Sequence, residues 1–115
     1  MINIYGIKTC STVRKAIKFC KDKELEYQFI DFRETPLKCE KIKYFASKVD
    51  INILFNNRGT KYKDLKLKDL NLDENGKLEW LCKENMLLKR PVVEYENKVL
   101  VSFNDELYTK ELLNK

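Results

Sequence analysis

The spacing of apolar residues changes several times along this chain, and each change marks an element. Ile2, Ile4 and Tyr5 make a short apolar run over residues 2–5, which reads as a buried strand. From 11 to 22 the spacing lengthens. Val13, Ala16, Ile17 and Cys20 then share one face of a helix. Residues 26–31, Glu-Tyr-Gln-Phe-Ile-Asp, return to alternation and read as a second strand. Thr35-Pro36 opens another helix, with threonine as cap and proline in the first turn. Its stripe is Cys39, Ile42, Phe45, Ala46 and Val49. Ile53-Leu54-Phe55 is a short apolar run leading into a loop, Asn56-Asn57-Arg58-Gly59-Thr60, and residues 61–72 read as a helical turn and a connection. A helix over 74–87 carries Leu78, Leu81 and Cys82. Pro91–Glu94 and Lys98–Val101 form a β-hairpin turning at Glu96-Asn97, and Asn104 or Asp105 caps a last helix through Leu113.

The resulting order is βαβ, a helical insert, then ββα. A strand, helix and strand this close together predict parallel pairing. The whole order predicts an α/β protein with a thioredoxin-like (glutaredoxin-like) fold and a helical insertion between its two halves. At 115 residues one domain spanning 1–115 is expected. The chain has no apolar stretch of about 18 residues and no basic flank with a long apolar segment at its start, so a cytoplasmic protein without membrane contact is expected.

Composition narrows the chemistry. There is no histidine, which removes the commonest general base and makes a zinc site improbable. Four cysteines, at 10, 20, 39 and 82, show no CxxC spacing and are expected to be thiols in a reducing compartment. The net charge is +5, but the lysines are interspersed with acids and form no basic block, so no direct nucleic-acid contact is expected.

Cys10 is the first candidate. It stands between the apolar run and the helix, after the turn Gly6-Ile7-Lys8-Thr9. There it faces the free N–H groups and the positive end of the helix dipole, which favour a thiolate. A space-filling role is the usual fate of a free cysteine, yet Lys8, Thr9, Ser11 and Thr12 are poor core neighbours. The amides of Ser11, Thr12 and Val13 would form an oxyanion nest, and Arg14, one turn on, would add charge. Cys20, Cys39 and Cys82 each fall on the apolar stripe of a predicted helix and read as buried core thiols. Arg90-Pro91 reads either as a helix stop before an edge strand or as an anion-binding arginine beside a cis-proline. Arg58, in a polar loop with Lys61 and Lys63, reads equally as a solvated turn or as an anion ligand whose fork matches two oxyanion oxygens.

Five segments in this order resemble the glutaredoxin-coupled arsenate reductase (ArsC-like) family and its Spx-type relatives. They are Ile4–Ala16, Tyr27–Arg33, Phe55–Tyr62, Leu87–Val93 and Leu100–Glu106. The resemblance implies that Cys10 is the nucleophile, Arg90 the anion-binding arginine and Pro91 the cis-proline. It implies no metal and no bound cofactor, with glutathione as co-substrate, glutathione or glutaredoxin as redox partner and a small oxyanion or a disulfide as substrate. The family's second arginine falls at Lys63, and its third has no counterpart around Val101, Ser102 and Phe103. These departures point away from arsenate and toward the single-cysteine, reductase-like subgroup. The reading is therefore a thiol oxidoreductase of unsettled substrate. Its alternative is an Spx-like transcriptional regulator that binds the RNA polymerase alpha subunit. The absence of CxxC, with Val13 at its second position, speaks against that alternative.

Overall fold

Strand β1 (Ile2–Gly6) forms where the N-terminal apolar run predicts it, and it is buried at Ile2, Ile4 and Tyr5. It comes from a computed structural model that describes residues 1–113. Helix α1 (Ser11–Asp22) follows and packs Val13, Ala16, Phe19 and Cys20 inward. The predicted stripe differs by one position, since Ile17 is only partly buried and Phe19 takes its place. Strand β2 (Tyr27–Asp31) runs parallel to β1, with Ile4 opposite Phe29 and Gly6 opposite Asp31.

The chain packs as two units. The first holds Met1–Asp31 and the segment from Arg90 onward, and the second holds Phe32–Lys89. In the first unit β3 (Val92–Tyr95) and β4 (Lys98–Val101) complete a four-stranded sheet in the order β2-β1-β3-β4. β3 is antiparallel to β1 and to β4. It begins one residue later than the pattern predicts, at Val92, since Pro91 has no N–H for the ladder. Asn104 caps α6 (Asp105–Tyr108) by accepting from the Leu107 N–H, and a π-helical turn (Thr109–Leu113) continues it. This is the thioredoxin-like arrangement. Its core joins Ile2, Ile4, Val13, Ala16, Phe19, Cys20, Val93, Leu100, Tyr108 and Leu112.

Cys20 and Tyr108 are fully buried in that core. Burial pushes the Cys20 thiol up to about 11. Burial, and then the neighbouring Cys20, push the Tyr108 phenol up as well. An unfolded cysteine ionises near about 8.5. A group raised in the folded state adds stability that is complete below its unfolded value and is lost as pH rises through its folded one. The denaturant midpoint is therefore expected to fall between about pH 8.5 and 11, with Cys20 accounting for about 3 kcal/mol. A Cys20→Ala chain should lose less over that window, and a wild-type midpoint flat across it would contradict the assignment.

The second unit is helical, and its buried side chains include Ile42, Phe45, Leu54, Phe55, Leu67, Leu81, Leu87 and Leu88. Here the sequence pattern misplaces three boundaries. Helix α2 (Cys39–Lys48) starts four residues after Thr35, and Lys38 occupies its cap position. The reason is Asn85, whose Oδ1 accepts from the Leu37 N–H and holds that stretch out of the helix. The Ile53 run lies in a short helix, α3 (Ile51–Leu54), capped by Asp50, and α4 (Thr60–Asp64) follows. Helix α5 (Glu74–Lys83) ends at Glu84, where φ and ψ reach −137° and 94°, and a 3-10 turn (Asn85–Leu87) follows. Asn85 Nδ2 donates to the Leu81 carbonyl and satisfies that helix end.

The expectation of four free thiols is also corrected. Cys39 and Cys82 form a disulfide, with their Cα atoms 4.8 Å apart. Neither is a core filler, because Cys39 is exposed and Cys82 only partly buried. Helical spacing put both on an apolar stripe, but each sits at a helix end where that stripe runs out to solvent.

Candidate thiol site

Three elements of the first unit converge on the turn that presents Cys10. Tyr5 of β1 pairs with Val92 of β3, so the start of β3 lies beside the end of β1 and carries Arg90-Pro91 to the turn. The Arg90–Pro91 bond is cis. The Pro91 carbonyl accepts from the Ser102 N–H at 2.8 Å, and Tyr108 Oη donates to the Ser102 carbonyl at 2.6 Å. Ser102 itself is left-handed, with φ of 67°. Gly6 is required where the turn leaves the sheet. A Cβ there would lie 2.5 Å from Val13 Cγ2, too close for helix α1 to seat as it does.

Cys10 occupies the N-cap position of α1, in an extended conformation. Its N–H donates to the Ile7 carbonyl, and its carbonyl accepts from Arg14 N–H, the first bond of the helix. Cys10 is partly exposed. Partial burial pushes the thiol up, but this is outweighed by the Val13 and Thr12 backbone N–H groups and by the Arg90 guanidinium, which acts as a charge and as a hydrogen-bond donor. The net result is a thiol held below its ordinary value. The Cys10 side chain makes no capping hydrogen bond of ordinary geometry.

Arg14 lies elsewhere than its spacing suggests. Its Nε–H donates to the Lys8 carbonyl at 3.2 Å, and its charge is not among the groups that lower the thiol. On the other side of the same residue, the Lys8 N–H donates to Asp31 Oδ2 at 3.1 Å. Residue 8 is thus gripped at both backbone groups, by the end of β2 and by the first turn of α1. Asp31 is nearly buried and was not a candidate from sequence. The available signal was a carboxylate closing an otherwise alternating strand.

The structure therefore brings together Cys10, Ser11, Thr12, Val13, Arg90 and Pro91, while the Arg14 guanidinium is turned to the Lys8 carbonyl. Arg58 and Lys63 belong to the second unit. Arg58 is exposed in the turn before α4, its N–H donating to Asn56 Oδ1, and Lys63 is exposed within α4. A cavity of about 280 Å³ lined by Lys15, Lys18, Phe19 and Phe103 lies on the flank of α1, and Cys10 is not among its lining residues. Among the described residues no three His, Cys, Asp or Glu side chains group as metal ligands, and no helix is long and apolar enough to cross a membrane.

The model of the ArsC family matches residues 5–110. An uncharacterized protein of Haemophilus influenzae is 33% identical over 109 residues, covering 94% of this chain and 96% of its own. The regulatory protein MgsR of Bacillus subtilis is 28% identical over 106 residues, covering 90% of this chain and 83% of its own. Among solved structures, a possible arsenate reductase from Streptococcus mutans superposes with a TM-score of 0.76 at 28% identity, covering 90% of this chain and 92% of that one.

Proposed function

This chain belongs to the ArsC family, and from that premise we propose that it is a thiol oxidoreductase with Cys10 as its single nucleophile and glutathione or glutaredoxin as its partner. One observation carries the reading. The Val13 and Thr12 backbone N–H groups at the helix start and the Arg90 guanidinium together outweigh burial and hold the Cys10 thiol below its ordinary value at a partly exposed position. The chain has no histidine, so the commonest base for generating a thiolate is absent and a lowered thiol is the more direct route to one.

The chemistry is an exchange. The Cys10 thiolate attacks one sulfur of a disulfide substrate, the substrate S–S bond breaks, and the second sulfur leaves as a thiolate. The mixed disulfide on Cys10 is then attacked by the thiolate of glutathione or glutaredoxin, which carries the substrate's sulfur away and restores the Cys10 thiolate. Arg90 stabilises the negative charge both before and after each transfer. A sulfur only partly exposed on an open turn suits a peptide thiol or a protein partner.

An oxyanion substrate fits less well. An anion beside a thiolate is repelled unless positive charge compensates, and Arg90 is the one guanidinium that acts on the sulfur. We expect weak oxyanion binding and little or no arsenate turnover, with ready reaction toward glutathione disulfide.

Alkylation by iodoacetamide followed against pH is expected to turn over below the ordinary thiol value of about 8.5. Arg90→Ala should move that midpoint up and slow the reaction with glutathione disulfide near neutral pH by about ten-fold, the worth of one charged hydrogen bond. A midpoint at the ordinary thiol value in the wild type would remove the nucleophile. Unchanged reactivity in Arg90→Ala would make the arginine structural.

The similarity to MgsR favours a second reading, an Spx-like regulator that docks on the RNA polymerase alpha subunit. Capture of that subunit by this chain, with Cys10→Ser as effective as wild type, would favour it over catalysis.

A further inference from the structure

The first helix of the second unit begins with an exposed cysteine, and that sulfur is bonded to another cysteine at the far end of a second helix. Cys39 is the first residue of α2, a helix of ten residues, and Cys82 lies in the last turn of α5. The two ends differ electrically. The N-terminus of α2 presents the positive end of the helix dipole to Cys39, with Lys38 at the cap and Lys41 one turn on set against Glu40 beside it, and so favours a thiolate there. The C-terminal end of α5 disfavours one on Cys82. They also differ in access, since Cys39 is exposed and Cys82 only partly so.

We propose that Cys39 and Cys82 form a second redox centre, a dithiol–disulfide couple that exchanges with a soluble thiol such as glutathione independently of Cys10. An accessible, thiolate-favoured sulfur and a shielded resolving sulfur are the two unlike partners that such exchange requires. On oxidation the Cys39 thiolate attacks glutathione disulfide, breaks its S–S bond and releases one glutathione thiolate. The Cys82 thiolate then attacks the Cys39 sulfur of the mixed disulfide, closes the Cys39–Cys82 bond and releases the second glutathione. Two protein thiols lose two electrons and two protons in all, and glutathione disulfide gains them. Excess reduced glutathione runs the same steps backwards. Because the two cysteines are separated by 43 positions in sequence, with Arg58 and Lys63 between them, the state of the couple sets how tightly that stretch is tethered.

The test uses the full chain carrying Cys10→Ser, so that failure of the Cys10 reading does not touch it. The chain is equilibrated in mixtures of reduced and oxidised glutathione, quenched with acid, alkylated and mapped by mass spectrometry. Cys39 and Cys82 are expected to lose alkylation together as the mixture becomes oxidising, with no retained glutathione. Adding Cys82→Ser should trap one glutathione on Cys39. Adding Cys39→Ser should leave Cys82 reacting at least about ten-fold more slowly than Cys39 does. Alkylation of both residues in every mixture would overturn the proposal, as would a bond that excess reduced glutathione fails to open in the folded chain.

Discussion

With the Cys39–Cys82 bond closed, serine in place of Cys10 is expected to lower the rate of reaction with glutathione disulfide by about 10³-fold or more, on the scale that loss of a covalent nucleophile costs. Serine keeps the size and the N-cap preference, so α1 should still start at residue 11. What it loses is the ionisable sulfur. The Val13 and Thr12 amides and Arg90 can stabilise an anion there, but a hydroxyl needs a base to become one, and the chain has no histidine. Peptide mapping after brief alkylation should place the label on Cys10 in the wild type. Cys20 should stay unlabelled, because it is buried and its thiol is pushed up to about 11. Residual turnover within a few-fold of wild type in Cys10→Ser would transfer the chemistry to another thiol.

The second large effect is on stability. Opening Cys39–Cys82 is expected to cost the helical unit about 4 kcal/mol, from the loop-closure entropy of a 43-residue separation. That is comparable to truncating a fully buried phenylalanine such as Phe45, at about 3–5 kcal/mol. Denaturant unfolding of the oxidised chain, of Cys39→Ser, of Cys82→Ser and of the double variant separates the bond from the side chains. Either single change breaks the same bond, so the three variants should fall together and well below the oxidised chain. Single losses that add up in the double variant would mean that packing, and not the tether, was being measured.

What the sequence disclosed tracks how local each cause is. β1, α1, β2 and the hairpin were legible because periods of 2 and 3.6 change cleanly at their borders, and Cys10 was legible because it stands on one of those borders. The helical unit was harder. Thr35-Pro36 carries the local signature of a helix start, but Asn85, far along the chain, takes the Leu37 N–H and delays the helix to Cys39. The same asparagine closes the end of α5 that periodicity runs on to residue 87. Asp31 and the true partner of Arg14 were not legible, since both act on the backbone of Lys8, and no spacing rule connects a strand end to a peptide group in a neighbouring turn. The Cys39–Cys82 bond escaped for a like reason. A stripe tells which face a cysteine occupies, but not whether the helix end beneath it is covered.

The double grip on residue 8 has a consequence for how this turn can diverge. Asp31 and Arg14 each bond the main chain there. Those two bonds can be made by any residue type at position 8 except proline, which has no N–H to give. That leaves position 8, which is solvent-exposed and two residues from the thiol, open to change with whatever approaches the sulfur. Positions 14 and 31 carry the constraint in its place. A family built on this turn could retune its partners at residue 8 without disturbing the reactive atom.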